Sequence, residues 1–178
     1  MFSGLPIHPI MVHMPMALVI LLPVITLIAF FIFKKSENIT GKKMMVYVGI
    51  FHLFLTISTF VSLETGEAEE DRVERVVAER YIEIHEHKAE AFMSATSVAL
   101  VAVFMAAFLF ADKFFTPTMI MVMLMQGVLI YLGYQVGHSG GELVYVHNAA
   151  SVHSEMAKTQ GLEQKRVPTH KEDDDDDD

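Results

Sequence analysis

The sequence contains no cysteine, and this absence removes a whole group of possible sites. Without thiols the chain forms no disulfide, thiolate metal site, iron–sulfur cluster or covalent c-type haem attachment. Histidine, methionine, tyrosine and the carboxylates are the ligands that remain. An excess of basic residues is also lacking, since the formal net charge is −9, and we therefore expect no nucleic-acid binding.

Charge is absent from four long stretches of the chain. No Asp, Glu, Lys or Arg occurs in windows 10–33, 44–63, 91–111 and 114–141. A helix crosses a bilayer with about 20 apolar residues, and these windows are apolar all round rather than along one stripe. We predict an all-α integral membrane protein, a four-helix bundle in up-down-up-down order. Its predicted spans are about 9–33, 44–63, 88–111 and 117–138.

The polar segments complete the predicted organisation. Residues 1–148 form the transmembrane domain, and residues 149–178 form a polar, acidic tail that ends in six Asp and is expected to be disordered. Between the second and third spans, Glu and Arg recur at helical spacing. We predict an external helical segment there, with Thr65 as its N-cap and with a possible uninterrupted run into the third span.

The lysines favour one orientation in the membrane. Lys34, Lys35, Lys42 and Lys43 crowd the short connection after the first span, which is typical of a cytoplasmic loop. Lys113, between the third and fourth spans, agrees. Basic residues also occur among many acids in 64–90, so the assignment rests on local charge density. Both termini are then expected on the external side.

Six histidines fall at one level of the predicted bundle. In an up-down-up-down arrangement, the starts of spans one and three share a side with the ends of spans two and four. The histidines at these positions are His8, His13, His85, His87, His138 and His147. An imidazole is costly in hydrocarbon unless it has a partner, a metal or a proton to bind. The sequence therefore predicts one shared site at this level.

Helical geometry suggests which histidines face inward. At about 100° per residue, His85 and His87 lie about 200° apart, so only one of them faces the core. We favour His87, because it shares a face with small residues that would leave room for a flat macrocycle. His13 lies deeper than His8. Spans one and three are diagonal in such a bundle, so His13 and His87 are predicted to be the axial ligands of a haem b iron.

The other histidines receive secondary roles in this interpretation. His8, His138 and His147 are further candidate cofactor-binding residues, either for a second haem or for haem propionates. His52 has no histidine at its depth in the other spans. We expect it to form hydrogen bonds with polar side chains of neighbouring helices.

Several motifs resemble one bacterial family. They are His8-Pro9, Val12-His13-x-Pro15-x-Ala17, Thr65-Gly66, His87 at the start of span three, Gly133-Tyr134, and Gly140-Gly141-x-Leu143-Val144-Tyr145-x-His147. Over about residues 5–148 the chain resembles the four-span membrane proteins grouped as domain of unknown function 2231. It departs from the family pattern at Met14, where Phe is usual, and at Asn148, where Gly is usual. The resemblance implies a bacterial inner-membrane protein that works beside c-type cytochromes, in a b-type haem or electron-transfer role.

Three functions are compatible with these features. The leading hypothesis is a bis-histidine b-type haem module that passes electrons between quinol, or another membrane donor, and external redox proteins such as c-type cytochromes. The second is a copper-binding membrane protein that uses the histidines with Met11, Met14 and Met16.

The third is a non-catalytic subunit of a larger membrane complex, with Gly133 and Gly137 at a helix–helix interface. An oligomer or a larger assembly in the bilayer is compatible with each function. The sequence contains no nucleophile–base pattern and no phosphate loop. We therefore expect no self-contained catalytic activity.

Overall fold

The computed structural model describes residues 6–35, 40–110, 113–154 and 158. Within these residues the regular structure is helical. The helices are α1 (His8–Met11), α2 (His13–Lys35), α3 (Gly41–Val73), α4 (Glu79–Leu109) and α5 (Phe115–Tyr145). Four segments are long and apolar enough to cross a membrane, and the first combines α1 and α2. The predicted all-α, four-span architecture is confirmed.

The first span is divided by its prolines. Pro9 lies in the first turn of α1, where its missing N–H costs no hydrogen bond. Pro15 also lacks an N–H, so it leaves the Met11 carbonyl without its usual i+4 partner. The Val12 N–H reaches the His8 carbonyl at 3.1 Å and the Met16 N–H reaches the Val12 carbonyl at 3.3 Å. α1 therefore continues into α2 with only a one-residue interruption.

The four long helices pack in a ring. α2 contacts α3, α3 contacts α4, α4 contacts α5, and α5 closes the ring against α2. α2 and α4 are thus diagonally opposite, as predicted for spans one and three. Large apolar side chains cover the outside of the ring, including Leu21, Phe54 and Val101, which are between half and three-fifths exposed. Such a surface is suited to contact with lipid tails.

We distinguish the two ends of the bundle by name. The cavity end, named for the pocket described below, carries α1 and the connection between α3 and α4. The lysine end carries the α2–α3 and α4–α5 connections. The lysine end contains an apolar core cluster, whose buried residues are Ala29, Met44, Met45, Val48, Val103, Ala107, Phe115, Met119 and Val122.

The connection between spans two and three differs from the prediction in detail. It is helical, but as extensions of α3 and α4 rather than as a separate external helix. The expected uninterrupted run into span three is wrong, because the chain turns over residues 74–78. Thr65 is not an N-cap, because it lies inside α3 and its hydroxyl donates to the Val61 and Ser62 carbonyls. The extension of α3 carries acidic residues over the end of the bundle.

α5 also extends past the predicted limit of residue 138. Gly140 and Gly141 remain helical instead of forming a turn, and α5 ends at Tyr145. The turn follows at Asn148, whose φ of 60° lies in the left-handed region. Glycine is the usual residue in that conformation after a helix, and asparagine is the common substitute. Asn148 therefore takes the left-handed conformation at the position where the family pattern has Gly.

One further expectation placed Gly133 at an interface with a partner helix. Gly133 is used inside the bundle, since a Cβ there would lie 3.4 Å from Val19 Cγ1 of α2. It does not lie on an outer surface open to a partner helix.

The predicted disordered tail lies outside the described residues except for 149–154 and 158, and residues 151–154 are helical.

Candidate functional site at the cavity end

The cavity end of the bundle contains a pocket of about 400 Å³. This volume is within the range of small-molecule and cofactor sites, which is about 300–1,000 Å³. Every helix contributes to the walls, and so does the chain after α5. The titratable lining residues are His8, Glu67, Glu69, Glu70, His85, Glu86 and His153. Most of the remaining walls are apolar, with Phe92 and Leu143 among them.

His8 is held at the pocket wall by the backbone of α3. Its Nδ1 lies 2.9 Å from the Ser62 carbonyl oxygen. A carbonyl only accepts, so Nδ1 carries the hydrogen and donates it. The neutral ring then has its lone pair on Nε2, the nitrogen left to bind a ligand.

His85 is held in a similar way by α5. Its Nδ1 lies 3.0 Å from Ser139 Oγ. The Ser139 hydroxyl can donate its hydrogen to the backbone carbonyl of Gln135 or of Val136, each 3.1 Å from Oγ. With the hydrogen directed there, Oγ accepts from His85 Nδ1. In that arrangement the two imidazoles share one tautomer, in which Nε2 is available to a ligand.

The two imidazoles face each other across the end of the bundle. The ring centroids of His8 and His85 are 6.3 Å apart, and the ring planes are inclined by 79°. A glycine lies beside each ring: a Cβ on Gly66 would be 3.2 Å from His8 Cε1, and a Cβ on Gly140 would be 3.1 Å from His85 Cε1. Both distances are tighter than most real Cβ contacts. Because glycine has no Cβ, each imidazole ring fits beside the helix at these positions without a close contact.

A carboxylate fixes the chain segment that carries His8. Glu69 Oε1 accepts hydrogen bonds from the Ile7 N–H at 2.6 Å and from the His8 N–H at 3.2 Å. Its other oxygen, Oε2, lies 3.9 Å from His153 Nε2. Both side chains are largely buried, with 12% of Glu69 and 18% of His153 exposed. Glu69 thus ties α3 to the start of α1 and to the segment after α5.

His8 and His85 are the pocket residues that could hold a metal. Ligating histidines usually donate their second ring nitrogen to a carbonyl or another acceptor, which fixes the ring and its tautomer. His8 and His85 both do so through Nδ1. In the described part of the chain, no group of three or more His, Cys, Asp or Glu is placed to hold a bare metal ion. A metal bound by His8 and His85 would need ligands beyond these two imidazoles.

The histidines chosen from the sequence are not brought together. His13 is exposed on the outside of α2, and the His87 side chain is 79% exposed, with Nδ1 3.5 Å from Glu90. The expectation that His87 faces inward is wrong, because His85 occupies the interior face of α4. The predicted axial pair His13 and His87 therefore does not line the pocket. Of the residues singled out as cofactor ligands, His8 does.

The two secondary candidates on α5 and after it also lie elsewhere. His138 is half exposed, 3.7 Å from Glu142 and near the Tyr134 ring. His147 stacks on Tyr81 with ring centroids 3.7 Å apart. Neither side chain lines the pocket. Their roles as propionate or second-haem ligands stay predictions without support from the geometry.

Sequence reasoning set His85 aside in favour of His87 and missed Glu69 and His153. The polar residues of α4 gave a divided signal for the first choice, because Ser94 shares a face with His87 and Thr96 shares a face with His85. Buried polar residues of a membrane span face its interior. Thr96 is fully buried and lies about 20° from His85 but about 180° from His87 around α4. Glu69 and His153 carried no comparable signal. Their contacts depend on where α1 and the segment after α5 fold back.

The hydrogen bonding expected for His52 is confirmed. It is fully buried, and its Nε2 lies 3.1 Å from the side-chain Nε2 of Gln126 on α5. The same Gln126 nitrogen donates to Thr26 Oγ1 at 2.8 Å. This three-helix cluster lies deeper in the bundle than the pocket and is separate from it.

Comparison with known proteins adds a family but no activity. No curated protein and no solved structure matches the chain. A family model described as a predicted membrane protein, DUF2231, matches residues 4–153. The match extends over the four spans and the pocket, including His8, His85 and His153. The chain belongs to the DUF2231 family of predicted membrane proteins.

Proposed function

We propose that this chain is a membrane b-type haem protein, an electron-transfer module in which His8 and His85 supply the two axial imidazoles. The proposal rests on one observation: two imidazoles, each anchored through Nδ1, stand 6.3 Å apart at a pocket inside a membrane bundle. It keeps the cofactor and the bis-histidine ligation expected from the sequence. The ligand pair changes from His13 and His87 to His8 and His85.

The ring separation supports coordination of a single metal. A bond between a metal and an imidazole nitrogen is about 2.0–2.1 Å long, and that nitrogen lies about 1.2 Å from the ring centroid. Two imidazoles on opposite sides of one metal therefore have centroids about 6 Å apart. The separation of His8 and His85 is 6.3 Å. The centroid separation is therefore compatible with both imidazoles binding one metal.

The residues around the pair have supporting roles. The Ser62 carbonyl and the Ser139 hydroxyl orient the rings, and Glu69 holds the segment that carries His8. The apolar walls keep the metal site at low dielectric, which is one of the means by which a protein sets a redox potential. Haem b, when bound, supplies one-electron chemistry.

The partners and the orientation belong to the same proposal. The lysine-rich connections favour a cytoplasmic lysine end, which places the cavity end on the external side of a bacterial inner membrane. A haem at that level would be close to the membrane surface. It would be positioned to receive electrons from quinol in the bilayer and to pass them to external c-type cytochromes.

Optical spectroscopy of histidine variants tests the proposal. The protein is purified after expression with haem supplied, and its absorption spectrum is recorded. We expect a low-spin Soret band in the unchanged protein, and its loss or a change of spin state in His8→Ala and in His85→Ala, because each removes one axial ligand. His13→Ala and His87→Ala are the matched controls and should retain the spectrum.

Two outcomes would overturn the proposal. One is the absence of visible absorbance in folded, haem-supplied protein. The other is loss of the spectrum in the His13 and His87 variants with no change in the His8 and His85 variants, which would restore the pair first chosen from the sequence.

Copper binding is the second candidate, and one contact favours it. Met16 lines the same pocket as His8 and His85, and thioether with imidazole is a ligand set suited to copper(I). Met14, by contrast, is 60% exposed. Titration of haem-free protein with copper(I) distinguishes the candidates. The copper reading predicts weaker binding in Met16→Leu and no change in Met14→Leu.

A further inference from the structure

A line of buried polar side chains runs from the pocket into the middle of the bundle. It lies along one face of α3, and its members are Ser62, Thr59, Thr56 and His52. Each is no more than 9% exposed. Ser62 and Thr59 line the pocket. His52 is seven residues from Thr59, which is about 10 Å along a helix axis.

The inner end of this line reaches other helices. Thr56 donates a hydrogen bond to the Thr96 carbonyl of α4 at 3.2 Å. His52 meets Gln126 of α5, which in turn donates to Thr26 of α2. Polar side chains of α2, α3 and α5 therefore gather around His52, and a backbone carbonyl of α4 contacts this cluster through Thr56. Each of these side chains is buried.

Two atoms of this cluster have no hydrogen-bond partner among the described residues. They are His52 Nδ1 and Gln126 Oε1, and both are fully shielded from the surface. A buried polar atom without a partner costs about 1–3 kcal/mol, and the cost is not reduced inside a membrane. Buried water molecules commonly satisfy such atoms. The unpaired atoms therefore indicate that the cluster holds a ligand with the chemistry of water.

The face of α3 that carries His52 changes character at this residue. Toward the lysine end, the next turn of α3 presents Val48, which packs in an apolar cluster with Met45, Met119 and Val122. Toward the cavity end, the same face of α3 presents hydroxyl groups at Thr56, Thr59 and Ser62 as far as the pocket. The other side chains at this level form a second apolar cluster that includes Leu22, Phe92 and Leu129, so these hydroxyls are the polar route between the pocket and His52.

We propose that His52 is a proton-binding site in the middle of the membrane, reached by water from the pocket along Ser62, Thr59 and Thr56. Imidazole accepts a proton at Nδ1 or Nε2, and Gln126 and the threonine hydroxyls supply hydrogen-bond partners for water at its side. The bound species is a proton carried by water, and nothing is consumed or oxidised. The site is independent of whether the pocket holds haem.

The groups that face His52 are polar and uncharged. They are Gln126 from α5, Thr26 from α2, Thr56 from its own helix, and Thr96 from α4 through the hydrogen bond with Thr56. Among the described residues, no ion pair involves His52. Protonation therefore depends on the water that reaches the ring. A dry cluster would keep His52 neutral.

Hydrogen–deuterium exchange at the imidazole C2 position tests the proposal. This exchange proceeds through the protonated ring and requires water to reach it, and mass spectrometry resolves it for each histidine. The full chain is placed in lipid nanodiscs and incubated in deuterated buffer over a range of pH. We expect His52 to exchange despite its complete burial. We expect Thr59→Val to slow that exchange about tenfold, roughly the effect of losing one hydrogen-bonding partner for water.

Thr118→Val is the matched control. Thr118 is also a buried membrane threonine whose hydroxyl donates to the carbonyl four residues earlier, but it lies at the lysine end. We expect it to leave the His52 exchange rate unchanged, and we expect Thr59→Ser, which keeps the hydroxyl, to retain the rate of the unchanged protein.

Three results would overturn the proposal. The first is no deuteration of His52 in the unchanged protein while His87 exchanges fully, which shows a dry cluster and needs no variant. The second is equal slowing by Thr59→Val and Thr118→Val. The third is His52 exchange only as fast as the backbone amides of α3, since that exchange would come from opening of the helix. Haem content is measured separately, and it tests only the proposed haem site in the pocket.

Discussion

At the scale of single residues, glycines are as important to the site as the histidines. Gly66 of α3 and Gly140 of α5 each lie against one imidazole of the pair, and neither leaves room for a Cβ at ordinary contact distance. Gly141 is adjacent to Gly140 on the same helix, yet nothing lies within 4 Å of a Cβ placed there. Gly140 and Gly141 thus allow a test of the ring contact in which Gly141 is the control.

Gly140→Ala should disturb the site, whereas Gly141→Ala should not. The added methyl group would lie 3.1 Å from His85 Cε1, so the ring must move away from Ser139. If the pocket binds haem as proposed, haem occupancy should be lower in Gly140→Ala, measured as absorbance per protein. Gly141→Ala should keep full occupancy and gain up to about 1 kcal/mol of helix stability. Equal occupancy in both variants would show that the ring position is not decisive.

At the scale of elements, the site depends on how far α3 continues past its apolar stretch. The last charge-free residue is Leu63, but the helix runs on to Val73. This extension carries Gly66 to His8 and Glu69 to the start of α1. The helix therefore forms the wall of the pocket as well as a membrane span.

Ala68→Pro should separate these two roles. Ala68 is exposed, so a proline ring meets no core side chain, but it removes a helical hydrogen bond and costs about 3 kcal/mol. We expect the bundle to remain membrane-inserted while Glu69 loses its contact with the His8 segment. Lower haem occupancy with normal membrane content is the measurable result.

Glu79→Pro is the control for this experiment. Glu79 is the first residue of α4 and follows Ala78, whose extended backbone suits the residue before a proline. Occupancy should be unchanged. A loss of membrane insertion in Ala68→Pro would instead show that the extension is part of the bundle's stability.

At the scale of the whole molecule, the bundle is apolar outside and selectively polar inside. Large apolar side chains cover the outer surface, whereas His52, Thr26 and Gln126 are buried. This is the reverse of the pattern in a water-soluble helix and is expected of a protein that lies in lipid. The same topology separates the two ends of the bundle across the membrane.

Introduced cysteines should reveal that separation, because the chain has none of its own. Cysteine at Glu74 or Val146, at the cavity end, should react with an impermeant thiol reagent in intact cells. Cysteine at Thr40 or Lys113, at the lysine end, should react only after the membrane is opened. The opposite pattern would invert the orientation. A mixed pattern, with Glu74 and Val146 on different sides, would contradict the up-down-up-down order.

The sequence by itself determined the fold class and the number of spans, and it predicted the end of the bundle at which the histidines gather. Long windows without charge are sufficient for a membrane bundle, because a bilayer admits few other structures. Topology alone brought the histidine-rich helix ends to one side. His8 and His85 do meet there, and the family motifs Thr65-Gly66 and Gly140 lie around them.

The tertiary structure decided which histidines face each other. In a membrane helix both faces are apolar, so hydrophobic periodicity does not identify the interior face, and the small residues on the His87 side gave the wrong answer. The rotation of α4 is set instead by packing and by buried polar contacts such as that between Thr56 and Thr96. The folding back of α1 and of the segment after α5 onto Glu69 is likewise a long-range event. No local pattern encodes it, because its partners are about sixty to eighty residues apart in the chain.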